Sequence, residues 1–161
     1  MTVDADNEKA AGRAGGVEAV IGVARREGAA DSLLKAACRA LGNMTVDADN
    51  KKAAGRAGGV EAVVGVVRRE GAADCLLEAA CGALRNMTAD ADNQKAAGRA
   101  GGVEAVIGVV RREGAADSLL EAACGASMLD YAFGYAFGYA LGSAMGSGLG
   151  FYVRLCVWLL C

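Results

Sequence analysis

The sequence predicts an all-α fold built from about three copies of one helical unit. The segment 1–43 recurs at 44–86 and, without its last residues, at 87–126, so the period is 43 residues. Repeats of roughly 40–47 residues are typical of stacked units of two or three helices. Apolar residues recur at helical spacing in every unit, and no run within 1–126 alternates as a strand does.

The first predicted helix of each unit is short and polar. In the first unit it spans 8–14, with the side chains of Asp6 and Asn7 as expected N-caps and two glycines at 15–16 as its end. The recurring Asp-x-Asp pattern that begins at Asp4 places further carboxylates near the positive end of the helix dipole. We therefore interpret the carboxylates of this pattern, which recurs at Asp47 and Asp90, as caps of the first helices.

The second and third predicted helices carry the apolar faces. The second spans 17–27, and the third runs from a cap at Asp31 or Ser32 to about Asn43, each with apolar residues at i, i+3, i+4 and i+7. Arg25 and Arg26 lie at the end of the second helix, where cations interact favourably with the dipole. We interpret them as a solvated helix end; a basic ladder for an acidic partner is the alternative.

Two residue types recur inside these helices. Glycines at 22, 65 and 108 each cost a helix about 1 kcal/mol relative to alanine, so their recurrence predicts a close approach between helices. Cysteines at 38, 81 and 124 share one position on the apolar face, and we expect them to be small core fillers.

Three strings of the first unit, in order NxKAA, AGGVEAV and DSLLxAACxAL, together resemble the armadillo repeat and return with few changes in the later units. The resemblance covers 126 of the 161 residues, in three tandem units (1–43, 44–86 and 87–126). It implies a right-handed α-solenoid, a superhelix of three-helix units. It also implies that the third helices line a concave groove that binds extended peptides or partner proteins.

Differences between the first two units mark a candidate partner-binding stripe. Four of the seven differences lie in the third helix at spacings of 3, 4 and 3 residues, which predicts one solvent-facing stripe. They are Ser32/Cys75, Lys35/Glu78, Arg39/Gly82 and Gly42/Arg85. We expect Lys35, Arg39, Glu78 and Arg85 to set a charge preference. The alternative is that exposed positions vary because such changes cost little stability.

Asn43 and Asn86 end the third helices and complete the predicted site. In importin-alpha-like members of the armadillo family, an asparagine here binds the backbone of a bound peptide, and a tryptophan one turn earlier packs its side chains. The tryptophan position holds Arg39, Gly82 and Gly125, and Leu129 replaces the third asparagine. A structural use is the alternative, in which the amide satisfies backbone carbonyls at a helix end.

The tail, residues 127–161, departs from the repeat. Residues 131–153 carry no charge, and glycine recurs at every fourth position from 134 to 150. This pattern is typical of closely packed membrane helices and predicts membrane association through 131–161. A self-associating β ribbon and an artefact of the gene model are the two alternatives left open.

The composition argues against nucleic-acid binding and against most kinds of catalytic or metal site. The net charge of -2 argues against nucleic acid, and the absence of histidine removes the commonest general base and metal ligand. We predict no catalytic or metal-binding residues, no cofactor and no small-molecule substrate. The N-terminal residues do not resemble a secretory signal, so the six cysteines favour a reducing compartment, the cytoplasm or nucleus.

The predicted function is therefore a protein–protein interaction scaffold. The alternative is a membrane-tethered structural or oligomerising element anchored by the tail. Stacked units shield one another, and no polar helix precedes the first one to cover Val17, Val20 and Leu34. We expect marginal stability or self-association unless 128–141 folds back over the third unit.

Overall fold

The computed structural model describes residues 5–127, and every regular element in this range is an α-helix. The elements are α1 (Ala5–Arg13), α2 (Gly16–Ala24), α3 (Asp31–Met44), α4 (Ala48–Arg56), α5 (Gly59–Val67), α6 (Asp74–Met87), α7 (Ala91–Arg99), α8 (Gly102–Val110) and α9 (Asp117–Ser127). The all-α prediction is confirmed over these residues. None of these nine helices combines the length and the apolar character needed to cross a membrane. The predictions for the tail fall on residues outside the described range.

The first aspartate of the Asp-x-Asp pattern caps the first helix of the second and third units, as predicted. The Asp47 carboxylate accepts the backbone N–H groups of Asp49 and Asn50, both at 3.0 Å. Asp90 does the same for Asp92 and Asn93. The residues equivalent to the other predicted caps, Asp6 and Asn7, lie inside the first turn of α4 and of α7. A carboxylate at this place still interacts favourably with the helix dipole.

Glycine makes the turn between the first two helices of each unit, as predicted. Gly58 has φ of +71° between α4 and α5, and Gly15 and Gly101 adopt the same left-handed conformation at the equivalent turns. A side chain at these positions would strain the backbone. The second helices end three residues earlier than predicted, because Arg25 and its counterparts already act as C-caps.

The recurring mid-helix glycines do not mark a close helix approach. A Cβ atom built on Gly22, Gly65 or Gly108 has no neighbouring atom within 4 Å, and all three residues are exposed. The prediction of close packing there is wrong. Instead, each glycine opens space above the surface of the second helix.

The second and third helices together form the core of the described structure. α6 packs against both α3 and α9, and the side chains between them are withdrawn from solvent. Leu34 and Leu77 are 2% and 3% exposed, so the predicted apolar face is confirmed. Val17 and Leu34 were expected to lack a cover, but both are buried because they face the second unit.

Arginines at the ends of the second helices join neighbouring units. Arg25 reaches forward, and its Nη2 donates to the carbonyls of Ala57 (2.8 Å) and Gly58 (2.9 Å). Arg69 reaches back, donates to the Ala29 carbonyl at 3.0 Å and pairs with the Asp31 carboxylate at 3.3 Å. Neither the solvated helix end nor the basic ladder describes these side chains, because they bind backbone and carboxylate groups of the adjacent unit.

The same contacts recur one period later. Arg68 donates to the Gly101 carbonyl at 2.9 Å, and Arg112 donates to the Ala72 carbonyl at 2.7 Å. Arg112 also lies 3.3 Å from the Asp74 carboxylate, whose other oxygen accepts the Ala116 N–H. The junction between units is therefore a repeated structure of its own, with the same chemistry at both occurrences.

Buried asparagines form a second link between units. The Asn50 amide donates to the carbonyls of Glu8 (2.8 Å) in the first unit and Met44 (3.1 Å) in its own. Asn93 donates to Lys51 and Met87 in the same way. Both side chains are nearly inaccessible, at 4% and 3% exposure. A buried amide with satisfied partners favours one register between units, since any shift would leave it unpaired.

The cysteines on the apolar face confirm their predicted role in the first two units. Cys38 and Cys81 are fully buried, and loss of hydration on burial raises the pKa of Cys38 to about 11 and that of Cys81 to about 12. Cys75, by contrast, lies on the exposed side of α6.

We expect this difference to appear in thiol labelling. At pH 8 a maleimide should modify Cys75 in the folded chain and leave Cys38 and Cys81 unmodified until urea is added. The two pKa values imply about 100-fold and 1000-fold less thiolate than at the ordinary value of 9.0, and burial blocks access as well. Peptide mass spectrometry of the labelled chain measures this, and equal labelling of Cys75 and Cys81 before unfolding would contradict the buried core.

Candidate partner-binding surface

Three predicted site residues follow one another along α3. Lys35 is half-buried, and Arg39 and Asn43 lie exposed one and two turns further on. Spacing of four residues places them on the same side of the helix. They present two cations and one amide group on one side of α3.

The predicted residues of α6 interact with the third unit. Glu78 is half-buried and accepts a hydrogen bond from the Ser118 hydroxyl of α9. Arg85 is exposed and extends over Gly125, where an added Cβ atom would lie 3.2 Å from Nη1. The Arg85 side chain can occupy this place because Gly125 has no side chain of its own.

Asn86 has a structural contact. Its Nδ2 donates to the Gly42 carbonyl at 2.9 Å, which satisfies a carbonyl in the last turn of α3. Its Oδ1 is the group through which a bound backbone N–H could be recognised. Asn43, one unit earlier, is exposed.

Gly42 does not belong to a solvent-facing stripe. It is buried, and a Cβ atom built on it would lie 3.5 Å from the Ala83 Cα atom of α6. The prediction is wrong at this position because α3 and α6 pack directly on each other there. The exposed or half-buried candidates are therefore six, on two successive helices: Lys35, Arg39, Asn43, Glu78, Arg85 and Asn86.

Sequence reasoning missed two equivalent depressions between successive second helices. The first, of about 290 Å³, is lined by Arg26, Glu61, Gly65 and Arg69 among others. The second, of about 460 Å³, has Arg69, Glu104, Gly108 and Arg112 at the corresponding places. The recurring mid-helix glycine beside an arginine pair was the signal for these depressions. Arg69 and Arg112, which line these depressions, already bind the preceding unit, and the third helices offer more uncommitted polar groups.

The arrangement on the third helices can bind but offers no nucleophile activated by a base. Its groups are cations, amides and one carboxylate, and within residues 5–127 no three metal-ligating side chains come together. Such groups recognise charge and backbone amides of a partner chain.

Solved structures include chains with a fold similar to that of this protein. The chain is similar to the crystal structure of an engineered protein from the Northeast Structural Genomics Consortium, with a TM-score of 0.74 and 26% identity. The alignment covers 87% of this chain and 57% of that one, so this chain spans little more than half of its length. No protein-family model and no curated protein matches the sequence.

Proposed function

We propose that this chain is an armadillo-like α-solenoid scaffold that binds an extended segment of a partner protein along its third helices. The observation that carries the proposal is the polar side of α3 and α6, where Lys35, Arg39 and Arg85 stand over a core that excludes water. The stacked third helices and the armadillo-like strings of the sequence support it. The action is binding without a catalytic step, a cofactor, a small-molecule substrate or nucleic acid.

Charge indicates the kind of segment bound. The candidate surface carries three cations against one carboxylate, and that carboxylate, on Glu78, already accepts the Ser118 hydroxyl. A segment with acidic side chains would therefore be favoured over a basic one, in association rate above all. The location we propose is the cytoplasm or nucleus, where thiols stay reduced.

A peptide-binding assay with the full chain tests this proposal. We expect extended acidic peptides to bind and basic peptides of equal length not to bind, by fluorescence polarisation. The double variant Lys35→Glu/Arg39→Glu should weaken acidic binding at least about tenfold, which corresponds to 1.4 kcal/mol. Arg13→Glu is the matched control, because Arg13 is exposed at the end of α1 and away from the third helices.

The two asparagines separate recognition from stability. Asn43→Ala should weaken peptide binding with little change in the urea midpoint, since Asn43 is exposed. Asn86→Ala should lower the midpoint because it removes the donor to the Gly42 carbonyl. If acidic and basic peptides bind alike, or if the double variant behaves like Arg13→Glu, the third helices are not the binding surface.

A further inference from the structure

One side of the first unit is exposed where its counterparts are covered. Leu33 is 41% exposed, whereas Leu76 and Leu119 at the equivalent positions are 0% exposed. The preceding unit covers the latter two residues. The other members of this surface, which we call the N-terminal face, are Ala19, Val20 and Val23, all more exposed than their counterparts in the later units.

The opposite end shows the reverse pattern. Val103, Ile107 and Leu120 of the third unit are only half-buried, and we call this surface the C-terminal face. Their counterparts in the first two units are buried: Val17, Ile21, Leu34, Val60, Val64 and Leu77. A following unit covers those positions. The two faces are thus the two halves of the junction that occurs twice inside the chain.

Charged groups at the two faces are complementary in the same way. The internal junctions pair Arg69 with Asp31 and Arg112 with Asp74. The equivalent residues at the ends are Arg26 on the N-terminal face and Asp117 beside the C-terminal face, 86 residues further along than Asp31. Neither forms an ion pair within residues 5–127, and Arg26 and Asp117 are both exposed.

Two further polar pairs fit the same junction. Glu78 accepts from Ser118 between the second and third units, and the end residues at these positions are Glu121 and Ser32. These two residues therefore match the internal pair across a third-to-first junction. The first-to-second junction has Lys35 and Cys75 at these positions instead. The two faces therefore carry the same pair of residue types, glutamate and serine, as the junction between the second and third units.

We propose that the N-terminal face of one chain docks on the C-terminal face of a second copy of the same chain, and so continues the repeat between molecules. Arg26 of one molecule would pair with Asp117 of the other, and the two apolar faces would cover each other. Because the two faces differ, each docked molecule presents a new free end. Such a head-to-tail interface produces open-ended assemblies rather than closed dimers.

Sedimentation of the full chain tests the proposal through charge reversal. We expect the average mass of the unmodified chain to rise with concentration beyond that of a dimer. Arg26→Glu alone or Asp117→Arg alone places like charges together and should weaken association at least about tenfold. An equimolar mixture of the two variants should regain association, because every junction between unlike molecules then has opposite charges.

Matched controls are available in both outer units. Arg13→Glu and Glu113→Arg make the same charge changes at residues that are exposed in all three units, and both should associate as the unmodified chain does. A chain that stays monomeric up to on the order of 100 µM would overturn the proposal. Association that neither charge reversal weakens would overturn it as well.

Discussion

Leu76→Ala is expected to lower the free energy of unfolding by about 3 kcal/mol. Leu76 is 0% exposed on α6, where the first and second units meet. Truncating a buried leucine removes its hydrophobic transfer energy and leaves a cavity, which together cost about 2–5 kcal/mol. Urea unfolding followed by circular dichroism measures the change. Because domain stabilities are only about 5–15 kcal/mol, the effect should be plain in the midpoint.

Leu33→Ala provides the control, because Leu33 has the same place in the first unit and no described residues cover it as they cover Leu76. At 41% exposure its truncation should cost about 1 kcal/mol or less, measured at a concentration where the chain is monomeric. Both substitutions change helix propensity equally, so their difference isolates the burial supplied by the neighbouring unit. Equal losses for Leu33 and Leu76 would contradict the stacking of the units.

The period and the apolar spacing were sufficient to predict the helices and the core. Leu34, Cys38 and their counterparts lie where a 3.6-residue repeat places one face of a helix, and that face is buried. These are local properties, because residues three and four apart on a helix are neighbours whatever surrounds it. Helix ends were less predictable. Asp47 caps its helix as the Asp-x-Asp pattern predicted, whereas the residues equivalent to the other predicted caps, Asp6 and Asn7, lie inside the first turn.

Contacts between units could not be predicted from the same pattern. Arg25 reaches forward and Arg69 reaches back, each to groups more than 30 residues away, and recurrence in the sequence gives no direction. The recurrence of the glycine at position 65 is equally compatible with close packing of two helices and with an open depression. The stripe was predicted from the positions that differ between units, and these positions identify one side of the third helix. They do not give the angle at which the next helix packs, and Gly42 is buried because α6 packs against it at Ala83.

Gly55→Ala is expected to destabilise the protein by about 1–2 kcal/mol, although alanine is the better helix former. A Cβ atom on Gly55 would overlap the side-chain amide of Asn93, which is 3% exposed. Asn93 can move only by giving up its bonds to the carbonyls of Lys51 and Met87, at a cost of about 1–3 kcal/mol. That cost exceeds the gain of at most about 1 kcal/mol in helix propensity. Urea unfolding measures the net change.

Gly98→Ala should have the opposite sign, and this contrast makes the test specific to the junction. Gly98 has the same position in the third unit, and a Cβ atom there has no neighbour within 4 Å. Only the helix propensity then changes, so stability should stay equal or rise by up to about 1 kcal/mol. If Gly55→Ala also stabilises, the Asn93 amide does not hold the second and third units in register. In that case Asn93→Ala would also have little effect on the free energy of unfolding. The structure instead predicts a loss of stability for Asn93→Ala, because the carbonyls of Lys51 and Met87 would lose their hydrogen-bond donor.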